Sequence, residues 1–181
     1  MNVKSLEITD VKIIFPDSFG DHRGSLSVFY SEYDYQKMGI DFKVKQINQG
    51  FSKKQHTLRG MHFQEAPYEQ AKLIYCNSGS VYSVAVDLRK NSVTVGKWCG
   101  ECLSADNKKI MYIPKGFAHG YLTLEDNTLL QYCVDEYFNP DAAKSLNYAD
   151  PIVNIDWKIA LNSVIVSEKD MYGKKLSELV N

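Results

Sequence analysis

The first spacing that suggests chemistry is Trp98-Cys99-Gly100-Glu101-Cys102, one letter from the thiol-redox sequence Trp-Cys-Gly-Pro-Cys. A redox pair of that kind needs a strand ending at the first Cys and a helix starting there, whose N-terminus lowers the thiol pKa. Here both Cys fall inside an extended run, and the residues that follow, LSADN, have turn composition. Residues three apart on a strand face opposite sides and lie roughly 10 Å apart, while a disulfide needs Cα atoms within about 7 Å. The spacing predicts two unrelated strand residues. A structural zinc site fails as well, because no second Cys-x-x-Cys or His pair completes it.

Other polar groups concentrate in three segments. TLRGMHFQ carries Arg59, His62 and Gln64, YEQAKLIY carries Lys72, and YIPKGFAHGYLTL carries His119 between glycines. Each residue has a bland reading too: a strand His as a hydrogen-bonded core group, a strand Lys as part of a solvated face. The same set would suit a metal-binding cupin, which uses a His-x-His pair, a following Glu and a distant His. Position 60 is Gly, and Glu65 follows His62 too closely. The ligand pattern fails, and no metal is expected.

These groups need a scaffold. A chain of 181 residues can bury one full-sized core, and one domain over residues 1–181 is expected. Hydrophobic residues at 44% and charged ones at 24% are ordinary for a soluble globular protein. A net charge of −1 leaves no basic field for nucleic acid. The N-terminal MNVKSLEITD has no apolar h-region, and no apolar run reaches membrane-spanning length. With 4 Cys in the chain, this favours a reducing cytoplasm and no membrane. Aromatic content is 12%, with 12 Tyr, and β-branched residues are frequent, which favours strands.

Residues 31–39 predict a short helix ending at Gly39. After it come strand-like runs over 55–64, 70–76, 81–89, 93–104, 108–114, 120–125 and 127–138, then loop and helix at the C-terminus. Residues 81–89 alternate and predict a half-buried strand. Strands at this spacing, without alternating helices, argue an all-β sandwich or barrel with a few short peripheral helices.

An ordered set of segments then carries a resemblance: FGDHRG (19–24), QIN (46–48), LRGMHFQ (58–64), QAKLIYC (70–76), VAVDLRKNSVTVGKW (84–98), YIPKGFAHGYLTL (112–124), QYCVDEY (131–137), DPIVNIDW (150–157) and SEKD (167–170). From about Phe15 to Asp170 the chain resembles the dTDP-4-dehydrorhamnose 3,5-epimerase family, nucleotide-sugar epimerases of the cupin fold. The resemblance implies a jelly-roll homodimer that needs no metal or nucleotide cofactor. The implied substrate is a nucleoside-diphosphate 4-keto-6-deoxyhexose. Its C4 ketone acidifies the protons at C3 and C5, so that removal and return of a proton inverts the centre.

The resemblance also implies roles. His62 would be the base, since imidazole titrates near working pH, with Asp170 holding its other nitrogen. Lys72 would stabilise the enolate oxygen, and Tyr132 would be the acid on the opposite face. Arg59 and His119 would bind the sugar or its phosphates, and Arg23 the pyrophosphate. Phe19, Gln46 and Asn48 would line the nucleoside end. Alternation puts Tyr132 on one face with Leu130 and Val134. Arg59 and His62, three apart, should face opposite ways, so either a bulge near Gly60 re-aims one or Arg59 is structural.

The chain departs from the family pattern at Val28, where Glu is usual, Ser83, where Asp is usual, and Phe138, where Tyr often stands. The loop before Leu58 is one residue longer, with Gly50 where Ser is usual. A CDP- or GDP-linked sugar, inversion at C3 alone, a ketoisomerase or metal-dependent oxygenase on the same barrel, and a non-catalytic sugar-binding cupin stay open at this level.

Overall fold

The computed structural model describes residues 1–180. Its strands are β1 (Asn2–Ser5), β2 (Lys12–Phe15), β3 (Ser18–Asp21), β4 (Gly24–Ser27), β5 (Gln46–Ser52), β6 (Leu58–Gln64), β7 (Lys72–Ser78), β8 (Ser80–Asp87), β9 (Trp98–Ser104), β10 (Ile110–Ile113), β11 (Phe117–Thr123), β12 (Thr128–Val134) and β13 (Ala143–Ser145). One antiparallel sheet runs β1-β2-β10-β7-β12-β5, a second runs β13-β6-β11-β8-β9, and β3 and β4 form a separate hairpin. The two larger sheets make a sandwich. The core between them includes Ile74, Met111 and Leu130 from the first and Val81, Ala85 and Phe117 from the second.

The predicted short helix is α1 (Glu32–Lys37). The Ser31 hydroxyl accepts from the Asp34 N–H at its start, and Gly39 follows its end with a φ of 72°, a left-handed conformation that glycine adopts without a Cβ penalty. The C-terminal loop and helix resolve into two single-turn helices, α2 (Glu168–Met171) and α3 (Leu176–Leu179). Strands β1 to β4 lie ahead of the first strand the sequence reading marks.

Two expectations need correction. β8 is buried on both faces, not one. It lies between β11 and β9, and while Val81 and Ala85 face the sandwich interior, Val84 and Val86 pack on a second core with Val153, Trp157 and Leu176. The C-terminal segment covers a face that alternation would have left to water, and each buried Val gains roughly 1.5–3 kcal/mol. The run 93–104 is a strand only from Trp98. Asp87 draws the preceding residues into a turn, accepting from Arg89, from the Ser92 hydroxyl at 2.6 Å and from the Thr94 hydroxyl at 2.6 Å. Within β9, Cys99 is buried and Cys102 exposed, as opposite faces require.

Candidate active site

Between the sheets lies a cavity of about 360 Å³. Strands of both sheets line it: Arg59 and His62 from β6 and His119 and Tyr121 from β11 on one side, Lys72 from β7 and Tyr132 from β12 on the other.

β6 solves the spacing problem at Arg59 and His62 with a bulge. Its register against β11 pairs His62 with His119 and Arg59 with Tyr121, so Gly60 and Met61 together oppose Gly120. Gly60 has a φ of 114°, and a Cβ there would lie 2.6 Å from Gly120 Cα and 2.7 Å from His119 O. Only glycine fits that backbone and that approach. The extra residue lets both Arg59 and His62 reach the cavity.

The His62 Nε2 stands 2.7 Å from Asp170 Oδ1. A carboxylate accepts, so Nε2 carries the proton and Nδ1 keeps the basic lone pair. Asp170 is held in turn: its Oδ2 accepts from the Gly60 N–H at 3.2 Å, and its own N–H donates to the Ser167 hydroxyl at the start of α2. Burial alone would raise the Asp170 carboxyl, but the bonds and charge from His62, then Gly60 and Ser167, hold it below its ordinary value.

Lys72 is not on a solvated face. It is 6% exposed, and its Nζ donates to the His62 carbonyl at 2.9 Å. Burial pushes its ammonium down to about 8. His119 is also 6% exposed, with Nε2 3.0 Å from the Ser83 hydroxyl. Burial, then the nearby Lys72 and His62, push it well below the ordinary imidazole value. Burial pushes the Tyr132 phenol up, with Arg59 opposing. Arg59 is anchored by Nε to the Ser52 hydroxyl at 3.2 Å and by Nη2 to the Phe51 carbonyl at 3.0 Å.

Arg59, His62, Lys72, His119 and Tyr132 therefore line one cavity, together with Gly50, Gln64 and Phe138 that the sequence also singled out, and Asp170 stands behind His62. Gln46 and Asn48 lie on β5 opposite Val134 and Tyr132 and bond to each other at 2.7 Å. They share the Tyr132 face of the sheet but are not among the residues that line the cavity. Phe19 and Arg23 lie elsewhere. They line a second hollow of about 310 Å³ on the β3–β4 hairpin, and Arg23 pairs with Asp21 at 2.7 Å. Gln64 is occupied by the backbone of Tyr68 and Asn139.

The sequence reading passed over Tyr121, Lys144 and Lys169, which also line the cavity. Tyr121 was within reach, being two residues from His119 on one strand face. Lys169 neighbours Asp170 in α2. Nothing in the sequence marks Lys144, because β13 is only three residues long.

Residues 5–178 match the family model described as dTDP-4-dehydrorhamnose 3,5-epimerase. The chain is 42% identical over 181 residues to the protein of that name from Escherichia coli (strain K12), covering 99% of this chain and 97% of that one. A solved structure of dTDP-4-dehydrorhamnose 3,5-epimerase from Bacillus anthracis, with TDP and PPi bound, superimposes with a TM-score of 0.92 at 38% identity, over 96% of this chain and 98% of that one. A dTDP-6-deoxy-D-glucose-3,5-epimerase from Legionella pneumophila, in complex with dTDP-4-keto-L-rhamnose, gives a TM-score of 0.92 at 36% identity, over 99% and 94% of the two chains.

Proposed function

The chain belongs to the dTDP-4-dehydrorhamnose 3,5-epimerase family, and on that premise we propose how its own residues divide the chemistry. The protein is an isomerase: it binds a dTDP-4-keto-6-deoxy sugar and inverts C3 and C5. His62 Nδ1 removes the proton α to the C4 ketone. Asp170 fixes the tautomer and stabilises the imidazolium that forms. Lys72 meets the developing enolate oxygen, where a charge in a site shielded from water is worth several kcal/mol. Tyr132 returns a proton on the other face of the ring. Arg59 and His119 hold the sugar and diphosphate, and Gln46 and Asn48 the nucleoside end. The observation that carries this reading is the placement of His62 and Tyr132 on strands of opposing sheets, facing one cavity that the buried Lys72 also lines.

The chain acts as a single unit over residues 1–181 and as a homodimer. Phe19 and Leu26 on the hairpin are 63% and 69% exposed, and Ile47 and Phe51 on the edge strand β5 are 58% and 55% exposed. These apolar groups need a cover. A second protomer would supply it and would carry Arg23 and Phe19 toward its neighbour's cavity, completing a site that one chain leaves open at the nucleotide end. The cytoplasm is the proposed compartment, consistent with four free thiols. Among the described residues no helix is long and apolar enough to cross a membrane.

The test is to incubate the protein with the dTDP-, CDP- and GDP-linked 4-keto-6-deoxyhexose in D₂O and follow C3 and C5 by NMR. Deuterium with inversion at both carbons, fastest for the dTDP sugar, is expected, and exhaustive chelation should leave the rate unchanged. Movement of the carbonyl away from C4, or no deuterium at either carbon, would sink the reading.

A further inference from the structure

The two nitrogens of His119 face different surroundings. Nε2 lies 3.0 Å from Ser83 Oγ. Ser83 is fully buried on β8, and His119 is the sole hydrogen-bond partner of its hydroxyl among the described residues. Nδ1 has no hydrogen-bond partner among the described residues. No buried side-chain nitrogen or oxygen among the described residues lacks a partner, so Nδ1 opens on the cavity that His119 lines.

A hydroxyl and an imidazole nitrogen can share a bond in either sense. If Nε2–H donated, the Ser83 proton would be left without an acceptor in a site closed to water, which is costly. If Ser83 donates, every buried group is satisfied and Nδ1 carries the proton. The charges around the ring argue the same way. Lys72 from β7, His62 and Arg59 from β6, Lys144 from β13 and Lys169 from α2 are basic, while Tyr121 on β11 and Tyr132 from β12 are phenols. Among the described residues no carboxylate lines the cavity, and Asp170, behind His62, is taken by that ring and the Gly60 N–H. Nothing in reach would stabilise an imidazolium. An aspartate at position 83 would do so, because it only accepts and would call for Nε2–H.

We propose that Ser83 is a positioning residue for the epimerisation: its hydroxyl donates to His119 Nε2 and holds a neutral ring whose Nδ1–H is presented to an oxygen of the bound sugar. This deepens the reading of the cavity as the sugar site and rests on it. His119 is then a directional donor, not a charge, and the cation assigned to the enolate oxygen is Lys72.

Long-range ¹H–¹⁵N correlation spectra of the ligand-free, ¹⁵N-labelled protein test this directly, with the His119 signals assigned by their loss in His119→Gln. From pH 5.5 to 8.5 His119 should stay neutral with the proton on Nδ1. An imidazolium, or a neutral ring protonated on Nε2, would overturn the proposal. Ser83→Asp should reverse the tautomer and bring the ring's titration toward neutral pH. Ser83→Ala should mix the tautomers and lower kcat/KM roughly tenfold, the effect of about one lost hydrogen bond, with Ser83→Thr restoring both. An alanine variant with wild-type spectrum and kcat/KM would equally defeat it. The spectra need no substrate, so a failure of the epimerase reading would not be confused with a failure of this one.

Discussion

Asp170 reaches His62 from the far end of the chain, 108 residues away, and meets its Nε2 at 2.7 Å while the same carboxylate receives the Gly60 N–H from the bulge of β6. One buried group thus fixes both the ring proposed as the base and the backbone that aims it. Asp170→Asn should keep the fold and lower kcat roughly 10²–10⁴-fold, as expected when the partner of a catalytic histidine can no longer hold its tautomer. Because folding depresses the Asp170 carboxyl, its contribution to stability is present above the unfolded value near 3.9 and fades as pH falls through the lower folded value. Urea unfolding should show wild type more stable than Asp170→Asn at pH 7, with the gap closing toward pH 3. A gap that does not change with pH would contradict this.

Base and acid should fail differently. His62→Asn removes the base, and wash-in of solvent deuterium at both C3 and C5 should fall by about 10²–10⁴-fold. Tyr132→Phe leaves the base and Lys72 in place, so deuterium should still enter from the His62 side while inversion at C5 is lost. Inversion of C5 at the wild-type rate in Tyr132→Phe would remove Tyr132 from the role of acid and make Tyr137 the next residue to mutate.

Burial of Lys72 costs stability, which the proposed role at the enolate oxygen would justify. Its folded value near 8 lies below that of an unfolded lysine, about 10.4. The unfolded chain therefore binds more protons between these values, and stability rises with pH across that window. Lys72→Met should raise the unfolding free energy at pH 7 by on the order of 1–3 kcal/mol, and yet lower kcat by roughly 10²-fold or more. The wild-type rate should decline on the alkaline side near pH 8. A Lys72→Met variant within tenfold of wild-type kcat would show that the ammonium does not meet the developing charge.

Gly60 is the hinge of the bulge. Gly60→Ala must accommodate a Cβ 2.6 Å from Gly120 Cα at a φ of 114°, and should cost at least ~2 kcal/mol of stability. What remains folded should lose activity through displaced Arg59 and His62. A chemical-denaturation midpoint equal to wild type would show that the strand tolerates a side chain there.

The thiols should be bystanders. Burial pushes the Cys99 thiol up to about 12, far from the thiolate a redox centre needs. Cys99→Ser with Cys102→Ser should keep kcat/KM within a few-fold, with a modest loss of stability traceable to Cys99 alone. A hundredfold loss of kcat/KM would restore a chemical role to the pair.

Local chemistry determined much of this protein in advance. The strand composition, the Ser31-to-Gly39 helix, the unrelated cysteines and the segments carrying His62, Lys72, His119 and Tyr132 all follow from residue types and near-neighbour spacing, which act over a few residues and so are written in the chain. Three things do not follow. Alternation marked β8 as half-buried, because its second face is covered by Val153, Trp157 and Leu176, residues that no local pattern brings there. The rule of two placed Arg59 and His62 apart, and only the pairing of Gly60 and Met61 against Gly120 brings them together. The partnership of Ser83 with His119, set by a register that puts Ser83 opposite Tyr121 and His119 opposite Ala85, cannot be read from either segment alone. Register, bulges and the covering of faces are settled by contacts between segments distant in sequence, and those contacts exist only once the two sheets have closed on each other.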